Sequence, residues 1–554
     1  MKKIVILFAV ILLSLFGIRS LYGSSYFPMH DDAQVGRVVS MARALADGQF
    51  PVRWVNDLGY GFGYPLFNFY GPLPYYIGAV FYNLGFDALT ATKLMMGIGI
   101  VLAPILTFLV LEPFFGVVGA AVSAMLFMYA PYHAVQLFVR GAVGELYATA
   151  FLPLLFYGCV APLSGKNNHR TVAIGALGVA LIIMSHTILG YVSFMFFGAW
   201  IGAYALISFI QKKLSVEKLI SYGLQIGIGL CLSAFFWLPA FLEMGYTSVS
   251  GQIGATADFR SHFVCASQLM YSQWGFGGSV PGCIDGMSFK LGVIQIVLLF
   301  YAVFMYWGNR YKPSIKSSLL IVGVLITLVS LFMLLPVSSF LWDKLPNFSY
   351  IQYPWRLLSF VAFGIAVSGG FCFINSASLM RRIFAIVVIV LVLIANYDEF
   401  YPQRLIYRPA SEYETQEELR LRVSKISDEY LPADVLVART ASFVTKDLVK
   451  GEQPIATQSS VEKSHYIKVV VTSTANQSIE IAKAWFPGWR YFVNNVEVPP
   501  RIIDGFPNLN VLAGVRVIEL RLFDTPVRRF SNVISLVTGF LCIVFYIRYE
   551  KNNS

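Results

Sequence analysis

The sequence predicts a polytopic α-helical membrane protein of about twelve transmembrane helices, with a C-terminal extracytoplasmic β-sandwich-like domain. Three observations carry that expectation. The 554 residues are 57% hydrophobic and only 13% charged, with a mean hydropathy of +0.66, whereas a soluble domain carries about 25% charged residues. Apolar runs long enough to cross a bilayer recur along the chain. Period-two alternation then takes over between residues 465 and 523. A water-soluble globular enzyme and a disordered chain are both excluded.

The expected spans are 4–22, 89–111, 116–131, 146–162, 171–188, 190–209, 219–240, 289–307, 317–336, 355–375, 382–398 and 530–547. The stretch 71–84 is apolar but short, and parity decides its role. Lys2-Lys3 and the Arg548/Lys551 tail both belong inside. An interfacial or re-entrant helix at 71–84 then keeps Lys166/Arg170, Lys212/Lys213/Lys218, Arg310/Lys312/Lys316 and Arg381/Arg382 on the cytoplasmic side. Those cytoplasmic pieces hold 14 of the 41 Lys and Arg and three acids, Glu112, Glu217 and Glu550, which accounts for the whole net charge of +11. No basic surface is left over for nucleic acid.

Residues 1–23 read as an uncleaved anchor, because Arg19 follows the apolar run and no A-x-A site is present. The division expected is a transmembrane domain at 1–398, a mainly-β domain at 399–528 and a last helix with its tail at 529–554. External loops fall at 23–88 and 241–288. No fixed internal period appears, which weakens an inverted-repeat transporter. Cys159, Cys231, Cys372 and Cys542 lie in spans. Cys265 and Cys283 share an external loop and are expected to form a disulfide if that side is oxidising.

The densest polar chemistry is Met29-His30-Asp31-Asp32, just after the first span. In the following 33–49, Val35, Val38, Val39, Ala42 and Leu45 recur at helical spacing, with Arg37, Arg43 and Asp47 opposite. An amphipathic helix lying on the membrane surface is expected. Asp31 and Asp32 fit two readings. They can cap that helix, or serve as general base and metal ligand, since paired carboxylates split such roles.

Residues 51–76, PVRWVNDLGYGFGYPLFNFYGPLPYY, alternate glycine with aromatic residues and are broken by Pro65, Pro72 and Pro74. They suit a headgroup-level aromatic belt, or a groove in which rings pack against a lipid-linked sugar and Arg53 grips phosphate. His30, Arg53, Trp54, Tyr64, Asn68 and Tyr70 are therefore candidate substrate contacts. Further candidates stand at the outer ends of spans: Arg140 and Glu145, expected as a pair or a substrate contact; His186, expected to pack; and Gln352 and Arg356, expected as anchor or phosphate grip. The histidines show no metal-binding spacing, so no zinc site is expected. Mg²⁺ or Mn²⁺ on Asp31/Asp32 suits hard oxygen ligands.

In the C-terminal segment, 411–426 reads as helix. Strands are expected at 465–474, 478–486, 489–499 and 515–523, with a hairpin turn at Asn494-Asn495 and a turn at Pro487-Gly488.

Several ordered motifs carry a resemblance. HDDAQVGRVVSMARALADGQFPVRW with DLGYGFGYPLFNFYGPLPYY, RGAVGELYATAFLPLLFY (140–157), SHTILGY (185–191), SQWGFGGSVPGCIDGMSFKLG (272–292) and IQYPWRLLSF (351–360) resemble the bacterial membrane family called "6-pyruvoyl-tetrahydropterin synthase-related" over about residues 1–400. That family looks like part of the GT-C glycosyltransferase superfamily. The resemblance implies a sugar donor carried on polyprenyl phosphate, and transfer to a cell-envelope glycan, lipid or protein on the outer face of a bacterial inner membrane. It implies the acidic-motif role for Asp31 or Asp32, with Asp31 as base and Asp32 as its partner. It also implies a phosphate-binding role for Lys93, where related enzymes often carry Arg. AWFPGWRYFVNNVEV (484–498) resembles the external domain of bacterial lipoteichoic-acid-glycosylation membrane proteins. The rival expectations are a transporter or flippase for a lipid-linked glycan, and a non-catalytic glycan-binding scaffold.

Overall fold

A computed structural model describes residues 1–249, 257–308, 314–345, 347–374, 378–445 and 447–553. Arg310 and Lys312, two of the charges counted as cytoplasmic, and residues 250–256 of the loop at 241–288 lie outside the described residues. So do the side chains of Glu550 and Lys551.

The principal helices are α1 (Lys2–Gly17), α2 (Gln34–Ala46), α3 (Leu73–Asn83), α4 (Ala88–Met128), α5 (Val143–Val160), α6 (His169–Ser185), α7 (Thr187–Ile210), α8 (Val216–Glu243), α9 (Val293–Gly308), α10 (Ile315–Leu334), α11 (Leu358–Phe371), α12 (Leu379–Ala395) and α13 (Pro526–Asn553). Each expected span falls on one of them. By length and composition, however, seven described helices are able to cross a membrane, so the expected count of about twelve is not reached on that criterion. Helices of 16 or 17 residues, such as α1 and α12, extend about 24–26 Å, short of the roughly 30 Å hydrocarbon core.

Helix α4 holds two of the expected spans. Its backbone breaks at Gly116, with φ 73° and ψ 172°. Ile18 packs against Gly97, while the preceding Gly17 packs against Met128. In a straight helix Gly97 and Met128 would lie about 46 Å apart, so the chain reverses at the break. At the turn end, Lys3 Nζ pairs with Glu112 at 2.8 Å.

The chain forms two compact units. The first comprises Met1–Asp31, Lys93–Ser233 and Ile253–Tyr407; the second comprises Asp32–Thr92, Ala234–Gln252 and Arg408–Ser554. This differs from the division expected at residues 398 and 528. The reason is that most of the first external loop buries its side chains with the C-terminal segment. Trp54 meets Phe486 and Trp489, Phe62 meets Phe443 and Phe506, and Phe69 stacks on Tyr430. Most of the aromatic residues read as a headgroup-level belt are thus core residues, and Trp54, Tyr64 and Asn68 are fully enclosed.

The second unit also corrects the reading of α2. It is a helix, but buried on nearly every face, and Arg37, expected on the polar side, is enclosed. Its guanidinium lies 4.4 Å from the Tyr70 ring centroid and donates to the Tyr75 hydroxyl at 3.4 Å. The short α3 packs on α2. The helix expected at 411–426 is irregular: a 3₁₀ turn at Ala410–Glu414, a π-helical turn at Glu418–Val423 and a short α-turn at Ser424–Ile426.

Nine strands follow among the described residues: β1 (Val449–Gly451), β2 (Ile455–Lys463), β3 (Tyr466–Ser473), β4 (Gln477–Ile481), β5 (Trp489–Val493), β6 (Val496–Val498), β7 (Arg501–Ile503), β8 (Phe506–Val511) and β9 (Gly514–Leu522). They make two antiparallel sheets, ordered β1-β4-β8-β7 and β2-β3-β9-β5-β6. Alternate residues Ile467, Val469, Val471, Ile479, Ile481, Leu509 and Val511 are buried, as half-buried strands require. Asn494-Asn495, both at positive φ, turn the β5–β6 hairpin with Val493 opposite Val496.

Gly63 (φ +87°) sits so close to Trp54 that a Cβ there would lie 2.3 Å from its ring, whereas Gly85 (φ +99°) has open space around it. Gly63→Ala is therefore expected to cost about 1–3 kcal/mol more than Gly85→Ala. Thermal unfolding of the detergent-solubilised variants checks this, and equal melting temperatures would contradict the packing.

Candidate functional site

In the first unit the sequence-predicted residues His30, Asp31, Arg140, Glu145, His186, Gln352 and Arg356 come together. The π-helical turn Val135–Val139 precedes a tight bend into α5, and that bend docks the acidic motif. The His30 amide donates to Val139 O and the Asp31 amide to Arg140 O, both at 3.0 Å. Glu145, in the first turn of α5, is fully buried.

One Glu145 oxygen accepts from the Tyr132 hydroxyl at 2.5 Å and from Gln136 at 3.2 Å; the other pairs with Arg140 Nη1 at 2.7 Å and Arg356 Nε at 3.6 Å. Arg356 also donates to Ile351 O and to the Gln352 side chain. The Arg140 guanidinium lies 4.3 Å from the centroid of the Trp355 ring. Although burial opposes its charge, Glu145, then Tyr132 and Asp31, hold Arg140 more firmly protonated than usual. His186 accepts from the Leu189 amide at 3.1 Å and caps α7, a packing role. Lys93 donates to Gly23 O at 2.6 Å.

The Cys265–Cys283 disulfide, with a Cα–Cα distance of 5.5 Å, closes a segment that reaches His30. The Phe276 ring centroid lies 5.3 Å from that of His30, at 62°. Burial, and then Arg140, lowers the His30 pKa.

The second unit holds Asp32, Arg53, Trp54, Tyr64, Asn68 and Tyr70. The N-cap of α2 is Ala33, which makes no side-chain cap bond. Asp32 instead pairs with Arg422, which reaches Glu418 at 3.1 Å; Glu418 in turn pairs with Arg408 at 2.8 Å. Burial pushes the Asp32 pKa up to about 6, against the pull of Arg422 and with the push of Glu418. Arg53 donates to Asn68 at 3.2 Å and Asn532 at 2.9 Å, beside Glu243 and Arg528. Burial, then repulsion from Arg528, lowers its pKa to about 10. Arg53 and Lys93, expected to share a donor phosphate, belong to different units.

The carboxylates at 31 and 32 fit a divalent cation poorly. Arg422 already engages Asp32. No group of three or more His, Cys, Asp or Glu side chains is placed for a metal among the described residues.

Sequence reasoning missed Tyr132, Gln136, Phe276 and Arg422. An aromatic residue flanked by glycines in QWGFGG was the one local signal for Phe276. Tyr132 and Gln136 act through Glu145, 13 and 9 residues away, and Arg422 through Asp32, 390 residues away.

The raised Asp32 pKa gives a signed prediction. Its protonated form is the one the fold favours, so this contribution is complete below the unfolded value near 4 and is lost as pH rises through about 6. Melting temperatures of wild type relative to Asp32→Asn are expected to fall between pH 4 and pH 6.5. A constant difference would contradict the raised pKa.

Among curated proteins, an uncharacterized protein of Lactococcus lactis subsp. cremoris (strain MG1363) is 28% identical over 272 residues, covering 47% of this chain and 42% of the relative. The chain thus spans about two fifths of that relative's length. Two solved structures are similar at 15% identity. Arabinofuranosyltransferase AftD from Mycobacteria has a TM-score of 0.45, with 73% of this chain and 27% of that one covered. The Archaeoglobus fulgidus oligosaccharyltransferase, in complex with zinc and sulfate, has a TM-score of 0.34, with 71% and 52% covered. Neither likeness bears on function. Residues 67–401, more than half of the chain, match the profile of the 6-pyruvoyl-tetrahydropterin synthase related domain, described as a membrane protein. The chain belongs to that family of membrane proteins.

Proposed function

We propose that the protein is a GT-C-type glycosyltransferase. It takes a sugar from a polyprenyl-phosphate donor and transfers it to a cell-envelope glycan, lipid or protein at the outer face of a bacterial inner membrane. The observation that carries this reading is the docking of Asp31 onto Arg140, whose guanidinium shares the buried Glu145 with Arg356.

Each part has a chemical task. The acceptor hydroxyl has a high pKa and needs a positioned base, which Asp31 supplies. As the acceptor oxygen bonds to the anomeric carbon, its proton passes to the Asp31 carboxylate. The bond from the anomeric carbon to the phosphate oxygen breaks, and polyprenyl phosphate leaves with the electron pair. That leaving group is a stable anion, so it calls for cations more than for a proton. Arg140 and Arg356, held in place by one shared carboxylate, supply them with little reorganisation.

The test compares wild type with Asp31→Asn and Asp32→Asn, using purified protein, a panel of polyprenyl-phosphate sugars and membrane extract as acceptor. Asp31→Asn is expected to lower release of polyprenyl phosphate about 10²–10⁴-fold, the range of a lost general base, with a wild-type melting temperature. Asp32→Asn is expected to retain more activity. Equal release by wild type and Asp31→Asn would refute the assignment, and no release with any donor would turn the reading to a scaffold.

A further inference from the structure

The segment closed by Cys265–Cys283 is built to hold one ring in place. Asp285 gathers it by accepting from Gln268 Nε2 at 2.9 Å, Ser272 Oγ at 2.8 Å and the Gln273 amide at 3.1 Å. The Phe276 amide donates to Gln403 Oε1 at 2.8 Å, and Trp274 Nε1 to Tyr401 O at 3.3 Å. Where the segment crosses itself, the backbones touch: a Cβ on Gly277 would stand 1.6 Å from Gly286 O. Only glycine fits that crossing.

The result is a phenyl ring 48% exposed yet fixed against His30, which is itself exposed. His30 is held from two sides. Its amide bonds Val139 O, and its ring bonds the Gly277 backbone. The neighbouring residue is Asp31. The Phe276 ring meets His30 edge to face and keeps nearly half of its surface open next to the residue that precedes Asp31. A sugar supplies the missing partner: the C–H face of a pyranose or furanose is electropositive and meets the negative face of an aromatic ring.

We propose that Phe276 and His30 form an acceptor-sugar subsite beside Asp31, in which the acceptor's terminal sugar packs on the two rings and presents its hydroxyl to the carboxylate. The inference rests on the transferase reading and deepens it. The acceptor, rather than the donor, belongs here because its hydroxyl must reach the base, while the donor's charge belongs on Arg140 and Arg356. The lowered pKa keeps His30 neutral at pH 7, so its ring offers an uncharged face.

Two measurements on the full-length protein test this. In the transfer assay, Phe276→Ala is expected to raise the acceptor KM about five- to tenfold, leaving donor KM and kcat close to wild type, with Phe276→Trp restoring it. An unchanged acceptor KM would overturn the subsite. The second measurement needs no turnover. Ring resonances of histidine-labelled protein, assigned with His30→Gln, are followed while trisaccharides of glucose, galactose and N-acetylglucosamine are added. At least one is expected to shift His30 in wild type and not in Phe276→Ala. No shift with any of them, or the same shift in both proteins, would overturn the proposal. A wild type that binds a trisaccharide but transfers no sugar would refute the transferase reading while leaving the sugar site standing.

Discussion

A carboxylate without solvent access is expensive to bury unless cations and hydrogen-bond donors surround it. Glu145 meets that condition with Tyr132, Gln136, Arg140 and Arg356, and it stands in the first turn of α5, where the helix dipole favours negative charge. The rest of the first unit's polar architecture depends on this arrangement. It brings a residue before α5 and a residue near α11 to one point, and it leaves two guanidinium groups sharing one negative charge. Removing Glu145 would strand two arginines at a cost of about 3–5 kcal/mol. The same geometry that stabilises the helix ends thus prepares a place for a second anion.

The second unit solves a different problem. A glycine-rich segment with seven aromatic residues from Trp54 to Tyr70 has little regular structure to pair its backbone. Its groups are satisfied by the C-terminal segment instead: Thr445 N donates to Tyr60 O, Ala484 N to Phe62 O and Lys483 Nζ to Gly61 O. Buried rings then contribute a core that neither piece has alone. The positive φ of Gly59, Gly61 and Gly63 lets the backbone approach close enough for those bonds.

Local physics was legible in the sequence and long-range packing was not. Apolar runs announced the helices, alternation announced β3, β5 and β9, and Asn494-Asn495 announced the hairpin. The Arg140–Glu145 pair could be read because its members are five residues apart. Strand β2 left no such signature, since it is exposed along nearly its whole length and shows no alternation. The partner of Asp32 is 390 residues away, and no local pattern selects it. The aromatic loop misled for a physical reason: rings between glycines suit a membrane interface and a protein core equally well, and only the C-terminal segment decides between them. Arg37 misled likewise, because a buried arginine over Tyr70 has the same helical spacing as an exposed one.

The central claim is that the arginine pair on Glu145 receives the donor's phosphate. Phosphorus NMR of a short-chain polyprenyl phosphate, added to purified wild type and to Arg356→Lys, tests it most directly. Lysine keeps the charge that Glu145 requires but loses the planar fork that grips a phosphate. A shifted, broadened resonance is expected with wild type and a markedly weaker effect with the variant. An unperturbed resonance, or the same perturbation by both proteins, would contradict it.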